Sequence, residues 1–255
     1  MIKVIGIIQA RTDSTRLPNK TLKDIQGKPL ILHVIERVQH ATSIEKVVLA
    51  TTTRSIDTPL ADLVQTQGIP VYRGDCDDVL DRYYQAATQY HGAVIVRITG
   101  DCPLIDPHVI DTIVQIFLQH HYDYVTNTLQ PTYPDGLDVE VFSYKALQKA
   151  WNEATLTSER EHVTAYIRNH PELFTLYDIK NPVDLSKYRW TVDQQEDLDF
   201  VREIYKRLSK KQKIFYMEDI VELLQQHPQL QEINARIQRN EGYLRSLKQD
   251  KKIRR

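Results

Sequence analysis

Near the start of the chain, Gln9-Ala10-Arg11-Thr12-Asp13-Ser14-Thr15-Arg16-Leu17-Pro18-Asn19-Lys20 places three cations within ten residues, with hydroxyls between them. Polyphosphate charge has to be met by several donors at once, and forked guanidinium groups, an ammonium and small hydroxyls are suited to that task. The segment contains no glycine, so it is neither a GxGxxG turn nor a Walker A loop. A solvated polar loop is the competing reading. A second group is Thr99-Gly100-Asp101-Cys102-Pro103-Leu104-Ile105-Asp106. A carboxylate following a long apolar run sits where α/β sheets place metal-binding aspartates, and Mg²⁺ takes one or two carboxylates with phosphate oxygens and water. Asp101 is the ligand candidate, while Asp106 before Pro107 reads as a helix N-cap. Gly74-Asp75-Cys76 repeats the triplet, so spacing alone does not choose between Asp75 and Asp101. The acidic residues 75–78 read better as a cap on the helix that carries Arg82, a side chain that faces either the loop or solvent. In the third group, Tyr188-Arg189-Trp190-Thr191-Val192-Asp193-Gln194-Gln195-Glu196, an N-cap role for Asp193 with Glu196 as capping-box partner accounts for the pattern.

These groups need a scaffold. Apolar runs rich in Val and Ile at residues 2–10, 46–52, 69–73 and 93–99 read as strands buried on both faces. Between and after them, residues 29–41, 59–67, 79–90 and 108–121 carry apolar stripes of helical period, such as Leu30, Val34, Ile35 and Val38. Strand and helix alternate four times, which predicts a parallel, right-handed α/β sheet with ligands beyond the carboxyl ends of its strands. The pattern then becomes a mixed sheet with insertions. Strands are expected at 122–127, 137–143, 174–180 and 189–192, and helices at 145–153, 159–169, 194–208, 216–224 and 230–247, with a polar linker at 209–213.

With 255 residues, 41% of them hydrophobic and 26% charged, the chain has the composition of a soluble globular protein. Two cysteines cannot form a disulfide scaffold, and the absence of a long apolar span or a leader pattern predicts a cytoplasmic location. The net charge of −1 averages an acidic body, −8 over residues 1–205, and a basic segment, +7 over 206–255. So acidic a body is unsuited to wrapping nucleic acid, and any anionic ligand must be gripped by local cations. The whole basic segment is expected to lie outside the site chemistry, its end, Lys251-Lys252-Ile253-Arg254-Arg255, being solvated or docked on the acidic body or a partner subunit. Neither a nucleic-acid nor a membrane partner is expected.

Taken jointly, Ile8-Gln9-Ala10-Arg11, Ser14, Arg16-Leu17-Pro18-Asn19-Lys20, Gly27-Lys28-Pro29-Leu30, Gly100-Asp101-Cys102-Pro103-Leu104 and Trp190-Thr191-Val192-Asp193 with Glu196-Asp197-Leu198 resemble the CMP-sugar-acid cytidylyltransferases. Pro134-Asp135-Gly136-Leu137-Asp138-Val139-Glu140-Val141-Phe142, Glu159-Arg160-Glu161-His162-Val163-Thr164 and Asn240-Glu241-Gly242-Tyr243 are similar in particular to the spore coat polysaccharide biosynthesis protein F group. The resemblance spans nearly the whole chain. It implies a Rossmann-like nucleotidyltransferase fold of the glycosyltransferase-A type, with a mixed, mostly parallel sheet and a helical C-terminal tail. It further implies a homodimer that uses the second half. The implied division is a nucleotidyltransferase domain at 1–208, split into a nucleotide half at 1–121 and an acceptor and dimerisation half at 122–193, followed by a basic extension at 209–255.

By the same resemblance Arg11, Ser14 and Lys20 would hold CTP phosphates, with Arg16 a further candidate. Ala10, Thr99 and Arg82 would lie against the nucleotide, and Asp101 and Asp193 would hold Mg²⁺, which lifts Asp193 above a plain cap. Asp135, Asp138, Glu140, Glu161 and His162 are candidate acceptor contacts. Thr99 stands where the better-known sugar-acid enzymes carry Gln or a similar residue, and residues 127–165 depart from their sugar pockets. The expected reaction is CMP transfer from CTP to a sugar or sugar acid with release of pyrophosphate, in surface polysaccharide or glycan precursor synthesis. The alternatives are a sugar-1-phosphate nucleotidyltransferase using another nucleotide, which usually has a glycine-rich first loop, and a nucleotide-binding homologue without turnover. A glycosyltransferase would want an Asp-x-Asp motif, which Asp101-Cys102-Pro103 does not supply.

Overall fold

A computed structural model describes residues 2–210, 214–237, 239, 246–248 and 250–252. Its first half alternates as the sequence predicts: β1 Val4–Gln9, a small hairpin of β2 Asp24–Ile25 and β3 Lys28–Pro29, α1 Leu30–Gln39, β4 Lys46–Thr52, α2 Thr58–Thr66, β5 Val71–Gly74, α3 Val79–Gln89, β6 Val94–Thr99 and α4 Pro107–Gln119. The second half holds β7 Tyr124–Thr126, β8 Glu140–Ser143, α5 Tyr144–Glu153, α6 Thr157–Glu161, α7 Ala165–Asn169, β9 Leu176–Asp178, α8 Gln195–Leu208 and α9 Met217–Gln226. The strands form a seven-stranded sheet in the order β5-β4-β1-β6-β8-β7-β9. β5, β4, β1 and β6 run parallel, whereas β8 is antiparallel to both β6 and β7.

Period-two alternation commits each strand to two cores. On β1, Val4 and Ile8 face the core built with α1, α4, α8 and α9, while Ile5 and Ile7 face the one built with α3, α5 and α7. This double burial explains the continuous apolar runs that marked the strands. Phe215, Ile220, Leu224 and Leu230 join the first of these cores, so α9 packs on the same body as the sheet. No helix among the described residues is long and apolar enough to cross a membrane.

Three expectations need correction. Residues 189–192 do not form a strand; their backbone is bonded to loops instead, with Asp135 O accepting from Trp190 N at 2.6 Å and Thr191 N at 3.0 Å, and Asp101 O accepting from Val192 N at 2.8 Å. The helix expected over 159–169 is two helices, broken at Val163, whose φ of 57° no α-helix accommodates. The helix expected over 230–247 begins as a 3-10 turn at Pro228–Glu232, and much of its remainder, with the Asn240–Tyr243 motif, lies outside the described residues, as do 211–213 of the expected linker and 253–255 of the basic end. The β2–β3 hairpin, too short to show a period, was not expected.

Candidate active site

The carboxyl ends of β1 and β6 lie side by side, with Gln9 opposite Thr99. The segments that follow them, residues 10–20 and 100–106, therefore meet. Gly100 is required there for a reason the sequence did not show: a Cβ on it would stand 2.6 Å from the Ala10 Cβ and 2.8 Å from Gln9 O. The glycine serves close approach of these two loops rather than of a ligand. Residues 188–193 join them because a tight turn at Gly136, φ 110°, seats the 134–136 loop on the Trp190–Thr191 backbone, leaving 2.6 Å between a hypothetical Gly136 Cβ and Thr191 N.

Lys20 is the meeting point. Its ammonium donates to Asp101 Oδ2 at 2.7 Å, Asp193 Oδ1 at 2.8 Å and Val192 O at 2.9 Å. Burial alone would disfavour this ammonium, but the charges of Asp101 and Asp193 outweigh it and raise the Lys20 pKa. Asp101 shows the converse balance: burial works against its ionised form, and Lys20 beside it overrides this and holds the carboxyl down to about 2. Arg16 pairs with Asp193 Oδ1 at 2.8 Å.

Asp193 is not the N-cap of α8. That position belongs to Gln194, and the carboxylate receiving the backbone N–H groups of Asp193 and Gln194, at 2.9 and 3.0 Å, is that of Asp197 rather than Glu196. Arg189, four residues upstream of Asp193, holds the assembly together: it donates to Asp193 Oδ2 at 2.9 Å, Asp197 Oδ1 at 2.9 Å and Asp135 Oδ2 at 2.8 Å. Arg189 stood inside the third motif, yet its type and spacing alone carried no signal of this role. Asp106 caps α4 as expected, accepting from His108 N at 2.7 Å. Asp78, not Asp75, caps α3.

On the other side of residues 10–20 lies a second cationic group. Thr12 is pinned by the fully buried Asp57, whose Oδ1 accepts from both the Thr12 amide and its hydroxyl at 2.7 Å. This leaves Arg11 over Cys76, with Nη1 3.8 Å from the sulfur. Arg82 on α3 is 3% exposed, and its Nε and Nη1 have no hydrogen-bond partner among the described residues. Burial lowers the Arg82 pKa, and the charge of Arg11 lowers it further. Ser14 Oγ accepts a long 3.4 Å bond from Leu17 N, and Ala10 is buried with its N–H on Ala50 O.

A cavity of about 270 Å³ opens beyond Asp101 and Asp193 and is lined in part by Thr99, Asp135, Asp138, Glu140 and His162. Among the acceptor candidates, Glu161 is not brought into it; that side chain is exposed and accepts from Ser246 Oγ at 2.7 Å. Asp135 is consumed by Arg189. Glu140 is buried with donors on both oxygens, the hydroxyls of Tyr124 and Thr164 on Oε1 at 2.5 Å and Arg97 on Oε2. Burial opposes its charge, and Arg97 overrides that to hold Glu140 down to about 2. His162, reaching the cavity through the break at Val163, is pushed down to about 4, mainly by burial. Arg97, Arg168 and Arg239 line the same walls and were not singled out in the sequence. Arg239 corrects the expectation that the basic segment lies outside the site, because its Nη2 donates to Asp138 Oδ1 at 2.6 Å.

The arrangement offers paired carboxylates aimed at one cation, on one side a buried Arg82 with two nitrogens unpartnered among the described residues beside an Arg11 that pairs with Asp13 at 3.2 Å, and a polar cavity on the other. The cytidylyltransferase family model matches residues 5–241. The spore coat polysaccharide biosynthesis protein SpsF of Bacillus subtilis is 31% identical over 237 residues, which cover 89% of this chain and 96% of that protein. A cytidylyltransferase structure from Leptospira borgpetersenii serovar Hardjo-bovis superposes with a TM-score of 0.87 at 34% identity, covering 91% of this chain and 97% of that one. A CMP:2-keto-3-deoxy-manno-octonic acid synthetase complexed with CTP shares the fold, with a TM-score of 0.62 at 19% identity over 80% of this chain and 99% of that one. The cationic loop, the aspartate after β6 and the partner aspartate before α8 thus stand in a chain that belongs to the cytidylyltransferase family, a nucleotidyltransferase enzyme.

Proposed function

We propose that this enzyme transfers CMP from CTP to a sugar acid, releasing pyrophosphate, in the synthesis of a surface polysaccharide or glycan precursor. The observation that carries the nucleotide half of this reading is Arg82, a buried guanidinium with two N–H-bearing nitrogens that have no partner among the described residues, beside Arg11 at the carboxyl end of the sheet. Buried donors are normally satisfied, and here the fitting partner is an anion or a nucleotide carbonyl. The acceptor half rests on the polar cavity on the far side of Asp101 and on relatives that act on a sugar acid or serve in polysaccharide synthesis.

Asp101 and Asp193 fit a divalent cation. Their carboxylates already converge on one ammonium at 2.7 and 2.8 Å, which is the donor set Mg²⁺ uses when phosphate oxygens and water complete its shell. When bound there, Mg²⁺ would supply charge neutralisation on the phosphates. The chain's own contribution is positioning. Arg11, Ser14 and Arg82 receive the nucleotide, and Lys20, exchanged from the carboxylates, meets phosphate charge. Arg189 keeps Asp193 aimed by taking its second oxygen. A homodimer through the second half belongs to the same reading, supported by the exposed Tyr177 on edge strand β9 and the neighbouring exposed Leu129 and Val183.

Pyrophosphate release from CTP, Mg²⁺ and a panel of sugar acids tests the proposal. Turnover is expected with CTP above other nucleotides, and Asp101→Asn is expected to lose about 10²-fold or more. Near-full turnover by Asp101→Asn would remove Asp101 from the chemistry, and release of pyrophosphate only with another nucleotide would favour the sugar-1-phosphate alternative.

A further inference from the structure

An acceptor hydroxyl that attacks phosphorus must give up its proton, and most carboxylates of the cavity are already occupied. Asp101 is held by Lys20, Asp193 by Lys20, Arg16 and Arg189, Asp135 by Arg189, and Glu140 by Arg97 and two hydroxyls. Asp138 differs. It precedes Glu140, the first residue of β8, by two residues, and both acids line the cavity that Asp101 and Asp193 also line. Its Oδ1 is fixed by Arg239 at 2.6 Å, while Oδ2 accepts no hydrogen bond from any described residue.

We propose that Asp138 is the proton acceptor for the attacking hydroxyl and that Arg239, delivered from the C-terminal segment, is its positioning residue. The proposal rests on the CMP-transfer reading above. In the step, the acceptor O–H bond breaks and its proton passes to Asp138 Oδ2. The freed electron pair forms the bond to the α-phosphorus, and the bond from that phosphorus to its bridging oxygen breaks, with pyrophosphate keeping the pair. Because 31% of the Asp138 side chain is open, the proton can then return to solvent.

The surroundings suit this task. Facing Asp138 are Arg239 from the C-terminal segment, Asp135 from the preceding turn, Glu140 from β8 and Arg97 from β6, with Cys102 close by. Lost hydration dominates, the charge of Arg239 counters it in part, and Asp135 and Glu140 add repulsion, so the carboxyl is pushed up to about 7. An acid balanced near neutrality is an effective base at neutral pH, whereas Asp101 and Glu140, held down to about 2, are poor ones.

The test compares wild type, Asp138→Asn and Arg239→Gln in pyrophosphate release from CTP with 3-deoxy-manno-octulosonate and the other acids of the panel. It also follows the aspartate carboxyl ¹³C signals of the ligand-free protein across pH. Asp138→Asn is expected to keep CTP binding, to lose about 10²–10⁴-fold in kcat and to lose the acid limb of the profile. Arg239→Gln is expected to keep that limb and move it to higher pH, since the cation favouring the carboxylate is gone. One carboxyl signal titrating near 7 should be absent from Asp138→Asn. Turnover by Asp138→Asn within twofold of wild type, an unmoved limb in Arg239→Gln, or an Asp138 signal titrating as an ordinary carboxylate would each overturn the assignment. If Asp138→Asn does not fold, the Arg239→Gln profile and the wild-type titration decide. A wild-type protein that releases no pyrophosphate with any of the acids would instead overturn the reading beneath it, and the ¹³C titration would still judge Asp138.

Discussion

Lys20 carries two duties that pull against each other. As a loop cation it is suited to phosphate, yet its ammonium sits between Asp101 and Asp193, closing the spot where their charges converge. Under the proposed function a divalent ion, with twice the charge of an ammonium, would displace it and free Lys20 for the incoming phosphates. Replacement by Met, of similar length and no charge, separates the two duties. Lys20→Met is expected to lose most turnover and to cost about 1–3 kcal/mol of stability, because two partly buried carboxylates are left facing each other. Added Mg²⁺ should then raise its melting temperature more than that of wild type, since no ammonium competes. A scanning fluorimetry series with and without Mg²⁺ measures this, and an equal Mg²⁺ shift in both proteins would show that Lys20 does not share the cation's place. At this scale the sequence singled out Lys20 and Asp101, which stand on segments following strands whose ends meet, while it left Arg82 facing either the loop or solvent, and the structure buries it. Arg189 and Asp197 escaped, because the carboxylate that completes the cluster, Asp135, comes from a loop 54 residues away, and the nearby Asp193 and Asp197 read as helix-start acids.

Elements were most legible where both faces are buried. β4 coincides with the apolar run at 46–52, because a strand between two helical layers can expose no residue to break the pattern. The second half was harder to read, because its chain makes hydrogen bonds with loops: residues 188–192 pair with 134–136 and 101, and Val163 accepts a left-handed conformation that brings His162 and Thr164 to Glu140 and the cavity. One buried polar group helps tie the unforeseen hairpin to α1, beside the Lys28–Glu36 ion pair and the buried Ile25. His33, on α1, hydrogen-bonds Ile25 O of β2 through Nε2 at 2.8 Å and is pushed down to about 4, chiefly by burial. Below about 6.5 the unfolded chain binds a proton that the folded His33 refuses, so folding stability falls as pH drops from about 6.5 to about 4 and is unaffected above that window. The contribution from this residue is up to about 2–3 kcal/mol. Urea denaturation at a series of pH values should show the slope, flattened in His33→Gln, which retains a donor and cannot titrate. An unchanged slope in that variant would mean that other groups, His162 among them, carry the acid sensitivity.

On the scale of the whole molecule, the near-zero net charge conceals a body and a basic segment that touch at specific places. Asn234 donates to Asp197 at 2.9 Å, Arg239 to Asp138, and Ser246 to Glu161, so the segment runs along the acceptor side of the sheet. Among the described residues its far part is fastened by an acid, Asp250. Asp250 accepts from Ser158 N at 3.0 Å, Thr157 Oγ at 3.0 Å and Ser158 Oγ at 2.7 Å, and Lys251 O accepts from Thr157 N at 2.9 Å. A residue 92 positions away in sequence thus satisfies the first turn of α6, a role that sequence reading, which looks for caps within a few residues, could not assign. Since α6 leads directly into the break that presents His162, loosening this cap should be felt in the cavity. Asp250→Ala is expected to cost about 0.5–2 kcal/mol in denaturant titration, the usual worth of a cap. It should also raise KM for the acceptor more than KM for CTP, because, of the groups proposed for the nucleotide, Arg11 and Ser14 stand on residues 10–20 and only α3, with Arg82, touches α6, through Arg160 and Asp78. Ser158→Ala removes one of the same bonds and should shift both quantities in the same direction by less. A rise in KM for CTP equal to that for the acceptor would show that the segment steadies the molecule as a whole and not the acceptor side in particular.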